Sequence, residues 1–234
     1  IEKGNFPHFM LKEIFDQPRA IQDTFRGRLF PDTGVIHLGG LHQVMPLLEK
    51  AERIILVGCG TSWHAALVGG YLFEEFSGIG ASVEYGSEFR YRKAILRPRD
   101  IVIAISQSGE TADTLAAVRK AQEAGAVVLG ICNVVGSSIA RITQAGVYTH
   151  AGPEIGVAST KAFSAQITIL TMMAMILGRK RKVLDENHFS RFVHALQQIP
   201  EKIEEILQLN ETIRNLAAMY AGTNNFIYLG RGYS

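Results

Sequence analysis

Cysteine is scarce in this chain, no charge sign prevails, and no apolar run is long. The two cysteines, Cys59 and Cys132, lack metal-type spacing and form no disulfide framework, which fits a reducing compartment and predicts a cytoplasmic protein. Each reads first as a small buried apolar residue. Lys and Arg total 24 against 22 for Asp and Glu, a net charge of +2. Such balance supplies no field for nucleic acid or anionic lipid, so neither is an expected partner and any anion site must be local. The longest apolar stretch, 165–177, is interrupted by Thr168 and Thr171 and falls short of the ~20 residues that span a bilayer, so it predicts a buried helix. Residues 1–16 mix charge and aromatics without an apolar core and are not expected to be a signal peptide.

What is present is an ordinary globular composition, 47% hydrophobic and 20% charged, in a chain of 234 residues. That length predicts one main α/β domain with flanking pieces. Phe9, Met10, Ile14 and Phe15 lie on one face of a short helix, and Pro18 separates it from a second over about 19–28. Residues 30–40 show no period, and 41–50 read as helical again. From Ile54 the pattern changes. Short apolar runs at 54–57, 81–85, 101–105, 127–131 and 147–149 predict five strands, with helices over about 62–76, 112–124 and 138–144. Continuously apolar strands alternating with amphipathic helices imply a doubly wound parallel sheet covered on both faces. Ligands then bind outside the carboxyl ends of the strands, which singles out the loops after the first and third.

The third strand runs into Ser106-Gln107-Ser108-Gly109-Glu110-Thr111, just before a helix. A helix's first turn leaves four N–H groups unpaired and carries roughly half a positive charge, so a phosphate dianion fits there. Three hydroxyls, on Ser106, Ser108 and Thr111, add donors, and Gly109 lets the backbone turn through positive φ. The plainer reading is an N-cap followed by a polar turn. Glu110 and Asp113 would repel a phosphate unless they point away. The loop after the first strand, 58–62, begins like a dinucleotide fingerprint, but Trp63 occupies the third glycine position, where a bulky residue would keep helix and strand apart. With Glu84 available for a ribose, nucleotide binding remains a rival. Thr61 and Ser62 offer hydroxyls to a ligand or serve as caps. His64 lacks a partner in the sequence, and Glu154 and Lys161 flank a loop that could close on a ligand. The basic run 179–182 reads as a solvated helix end. Helices are expected over 185–221, broken at Pro200. Near the end, Tyr228-Leu229-Gly230-Arg231-Gly232-Tyr233-Ser234 repeats the strand-then-Gly-x-Gly-x-Ser pattern of 56–62, as though a second copy begins.

Taken together, Gly58-Cys59-Gly60-Thr61-Ser62, Ser87-Glu88-Phe89-Arg90-Tyr91-Arg92, Ser106 to Leu115 and Glu154 to Phe163 resemble the sugar-isomerase half of the glutamine:fructose-6-phosphate amidotransferases. Residues 3–14 are similar to the segment that opens that half. The resemblance implies a sugar-isomerase (SIS) domain: an α/β, three-layer αβα sandwich with a five-stranded parallel, flavodoxin-like sheet. It also implies a division into a helical lead-in (1–44), a first SIS domain (45–184), connecting helices (185–222) and the start of a second SIS copy (223–234). By resemblance Ser106, Gln107, Ser108 and Thr111 bind the substrate phosphate with Ser62, while Thr61, Val157 and Ser159 line the sugar. The implied ligands are hexose 6-phosphates: fructose 6-phosphate, glucose 6-phosphate and glucosamine 6-phosphate. The implied assembly is a homodimer. No cofactor or metal is implied. The family's glutaminase cysteine, catalytic glutamate, Schiff-base lysine and ring-opening histidine match no position here, so no catalytic residue is assigned and the chain by itself is expected to be inactive.

Overall fold

The computed structural model describes residues 2–233. Two short helices, α1 (Phe9–Phe15) and α2 (Gln17–Phe25), open the chain, with Pro18 in the first turn of α2, where its missing N–H costs nothing. An antiparallel ribbon follows, β1 (Leu29–Phe30) with β2 (Val35–Ile36), in a stretch that showed no sequence period. A 3₁₀ segment then leads into α3 (Met45–Glu49).

The apolar runs become β3 (Arg53–Gly58), β4 (Gly80–Tyr85), β5 (Asp100–Ser106), β6 (Val127–Cys132) and β7 (Ala145–Tyr148), all parallel, in the order β4-β3-β5-β6-β7. Between them lie α4 (Thr61–Leu72), α5 (Gly86–Tyr91), α6 (Ala112–Glu123) and α7 (Ser138–Ile142). The sheet is the expected flavodoxin-like one. Successive strand side chains point to opposite faces. Ile54 and Leu56 therefore join the core beneath α4 and the long helix α8 (Lys161–Lys180), whereas Ile55 and Val57 pack with Phe89 and the apolar face of α6. The α/β, three-layer sandwich follows from that alternation. The short helix α5 was missed in the sequence because its six residues span less than two turns.

By length and composition α8 could cross a bilayer, but most of it is buried against the sheet and its neighbours, so it is a core helix. It extends past the apolar run at both ends, because Lys161 at its start and Arg179 and Lys180 at its finish have partners. The basic run is not simply solvated. Arg181 donates to the carbonyls of Ser77 and Glu49, and Lys180 pairs with Glu49.

Three helices, not two, follow: α9 (Glu186–Gln197), α10 (Ile199–Leu207) and α11 (Asn210–Met219). Pro200 sits in the first turn of α10, and a second break falls at Gln208–Leu209. Residues 222–233 form no strand, although the repeat predicted one; Tyr228 and Leu229 are 92% and 93% exposed. A strand needs neighbours to pair with, and no strand among the described residues pairs with them. Ser234, the last residue of that repeat, lies outside the described residues.

Candidate functional site

Strand β5 is the middle strand of the sheet and is buried along its whole length. Its carboxyl end delivers Ser106 to the edge of the core, where the hydroxyl accepts from Gly109 N (3.0 Å) and lies 3.1 Å from Thr111 Oγ1. Ser108 Oγ accepts from Glu110 N (3.1 Å). These bonds hold the oxygens and leave protons to give. Ser108 keeps its own, whereas Ser106 and Thr111 share one between them, so two hydroxyl protons are free instead of the three expected. Gly109 turns at φ +67°, and a Cβ there would be driven into the Ser137 hydroxyl. The first-turn amides of α6 open onto the same loop.

Both nearby acids turn aside. Glu110 accepts from Ser138 N at the start of α7 (2.8 Å), and the Ser138 side chain and amide hold its carboxyl below the usual range. Asp113 accepts from Arg90 Nη1 at 3.0 Å. The repulsion that would have excluded a dianion is therefore removed by partners 23 and 28 residues away.

The loop after β3 lies alongside. Thr114 of α6 donates to Cys59 Sγ at 3.6 Å, and Gly86 leaves just enough room between them. Trp63 does not hold α4 away from the sheet, as its bulk had suggested. Its ring stacks on Tyr85 (centroids 4.1 Å apart, planes 10° apart), and the backbone of Ser62 closes on Gly58. Thr61 opens α4, and the buried Ser62 accepts from Gln166 Nε2 of α8 at 3.0 Å. Its own proton remains to donate. Glu84 pairs with Arg92, and His64 lies edge-on to Trp63. Cys132 is buried, which pushes its thiol up to about 11 and keeps it unreactive.

A third loop, 149–160, is joined to the first through Asn133. Asn133 N donates to the carbonyl of Gln107, and its side chain bonds Thr149, Ala151 and Gly152. Further on, Ser159 Oγ donates to Glu154 (2.6 Å), which also accepts from Thr160 N and, in the first turn of α8, from Ala162 N at 3.4 Å. Val157 is fully exposed. Lys161 is not a surface charge: it is 6% exposed and pairs with Asp16 of the lead-in at 3.2 Å.

A family model described as SIS domain matches residues 47–176, more than half of the chain. The chain belongs to the SIS domain family. Along its full length it is 54% identical to a glutamine–fructose-6-phosphate aminotransferase (isomerizing) of Chlorobaculum tepidum and 53% identical to that of Bacteroides thetaiotaomicron, covering 38% of each. It therefore spans little more than a third of the curated relatives it matches. The solved C-terminal domain of glucosamine-fructose-6-phosphate aminotransferase from Francisella tularensis superposes with TM-score 0.94 at 35% identity, over all of this chain and 65% of that one.

Four polar residues escaped the reading of the sequence: Glu13 in the lead-in, and Asn133, Ser137 and Gln166 within the SIS domain. Gln166 did leave a trace, as an amide inside an apolar helix. It is 1% exposed, and its Oε1 has no partner. Glu13 and Asn133 bond across the fold and leave no local mark, and the buried Ser137 hydroxyl, which has no partner among the described residues, stands where a Cβ on Gly109 would fall.

Proposed function

We propose that this SIS domain binds hexose 6-phosphates as the sugar-phosphate part of an enzyme that makes glucosamine 6-phosphate from fructose 6-phosphate and glutamine-derived ammonia. The phosphate rests on Ser106, Gln107, Ser108 and Thr111 with the Ser62 hydroxyl, and the sugar extends past Thr61 toward Val157 and Ser159. One observation carries this reading: the amino end of α6 meets the central strand with two hydroxyl protons to give and with Glu110 and Asp113 turned away. The loop needs no lysine cluster, in keeping with the near-neutral chain.

The chain binds and does not turn over. Forming a 2-amino aldose from a 2-keto sugar requires an imine at C2 and a base that moves a proton between C1 and C2. Lys161, which directly follows the proposed sugar loop in the chain, is tied to Asp16, which disfavours imine formation there. The cytoplasm remains the proposed compartment, supported by two free thiols. Exposed apolar side chains at Ile206, Leu209, Ile213, Leu216 and Met219 support packing against further protein, as in a dimer that includes a second SIS copy.

A thermal-shift panel tests the binding claim. Fructose 6-phosphate should raise the melting temperature, while fructose and NAD should not. Ser108→Ala should weaken the sugar phosphate roughly 10- to 150-fold, the worth of one hydrogen bond to a charged group. An equal shift with unphosphorylated fructose, or a larger one with NAD, would refute the reading. Glucosamine 6-phosphate formed by this chain from fructose 6-phosphate and ammonia would refute the claim that it does not turn over.

A further inference from the structure

Glu13 belongs to α1, outside the residues that the SIS model matches, yet it is 2% exposed and its carboxylate ends at the loop that carries Val157 and Ser159. Ile155 N donates to its Oε1 at 2.6 Å, and Gly156 N donates to both oxygens, at 3.0 and 3.3 Å. The approach is so close that a Cβ on Gly156 would stand 2.6 Å from Oε2. Val157, the next residue, has no such support and projects fully into solvent. On the other side of it, Glu154 fixes Ser159 and the start of α8. The loop is thus held by one carboxylate at each end.

The helix that supplies Glu13 is itself registered against α8. Asp16 pairs with Lys161 (3.2 Å), and Ser164 Oγ donates to Gln17 Oε1 (2.6 Å). Thr24 Oγ1 adds a bond to the carbonyl of Thr149. By contrast, the oxygens of Ser106 and Ser108 are held within their own loop, and Glu13 bonds none of them.

We propose that Glu13 is a positioning residue for the loop 154–160, so that recognition of the sugar depends on the segment before the sheet while grip on the phosphate does not. This rests on the hexose-phosphate reading above, and it assigns sugar selectivity to a buried carboxylate that touches no ligand. An ion-free amide in its place can accept through one oxygen only, which loosens Gly156 and swings Val157 away.

The test is a pair of NMR titrations, one with fructose 6-phosphate and one with inorganic phosphate, on the wild type, Glu13→Gln, Glu13→Ala and Ser108→Ala. Glu13→Ala should weaken fructose 6-phosphate by about 10-fold or more, the loss expected when a charge-assisted bond goes, and leave inorganic phosphate within about twofold. Glu13→Gln, which keeps the shape and one acceptor, should fall between and should exchange the amides of Ile155 and Gly156 faster than wild type. Ser108→Ala should weaken both ligands. Wild-type affinity for fructose 6-phosphate in Glu13→Ala overturns the inference, as does equal weakening of both ligands in folded Glu13→Gln. Failure of the wild type to bind fructose 6-phosphate removes the hexose-phosphate reading itself, and the inference with it.

Discussion

In the loop after β5 the hydroxyl oxygens are held by bonds within the loop, whereas in the loop before α8 the backbone at Ile155 and Gly156 is held by a residue more than 140 positions away. In the first, Ser106, Ser108, Gly109, Glu110 and Thr111 bond one another across separations of two to five positions. In the second, Glu13 reaches Ile155 across 142 positions, and Lys161 reaches Asp16 across 145. The bonds within the first loop need only its own strand and helix, although Glu110 and Gln107 also bond Ser138 and Asn133. A loop held from a distance depends on the chain's whole path, so it can be loosened without disturbing the sheet.

The sharpest way to break that contrast is to add one methyl group to each loop. Gly109→Ala should cost about 3 kcal/mol, because alanine must adopt positive φ and its Cβ is driven into Ser137. Gly156→Ala should cost on the order of 1 kcal/mol, since the tip of Glu13 can shift at the loss of one hydrogen bond. Urea unfolding midpoints measure both. Equal costs would mean that the second loop is as rigidly built as the first.

Acid should act on one side of the contrast. Burial works against the Asp16 charge, but its hydrogen bonds and ion pairs with Lys12 and Lys161 outweigh that, and its pKa lies below the ordinary 3.8. A depressed folded pKa means that the stabilisation is complete above the unfolded value and disappears as pH falls through the folded one. Asp16→Asn should therefore be less stable than wild type by on the order of 1 kcal/mol at neutral pH. The gap should close as pH falls below 3.8. A gap that stays constant with pH would show that the lead-in is not held by this pair.

The smallest expected effect is a coupling close to zero. If the loops are built independently, the losses of fructose 6-phosphate affinity in Ser108→Ala and Glu13→Gln should add within about 0.5 kcal/mol in a double-mutant cycle. A larger coupling would mean that Asn133, which bonds Gln107 on one side and Thr149 and Ala151 on the other, transmits strain between them.

The sheet was legible because β3 to β7 are short, mostly apolar runs separated by helical stretches, a pattern that needs only nearest neighbours to read. The cluster at 106–111 was legible for the same reason. The orientation of Glu110 and Asp113 was not, because Ser138 and Arg90 reach them from other elements. Nor was the placement of Trp63, whose partner Tyr85 ends a different strand. The number of free hydroxyl protons at Ser106 and Thr111 depends on a 3.1 Å contact that no spacing reveals.

By itself the sequence determined the strands, the helices that cover them and the motif that ends the central one, since these follow from local periodicity and turn chemistry. Only the tertiary structure decided that the opening helices are bonded to the loop before α8. The reason is physical: a carboxylate buried at Glu13 acquires its meaning from amides 142 and 143 positions away, and such a bond exists only once the chain has closed on itself.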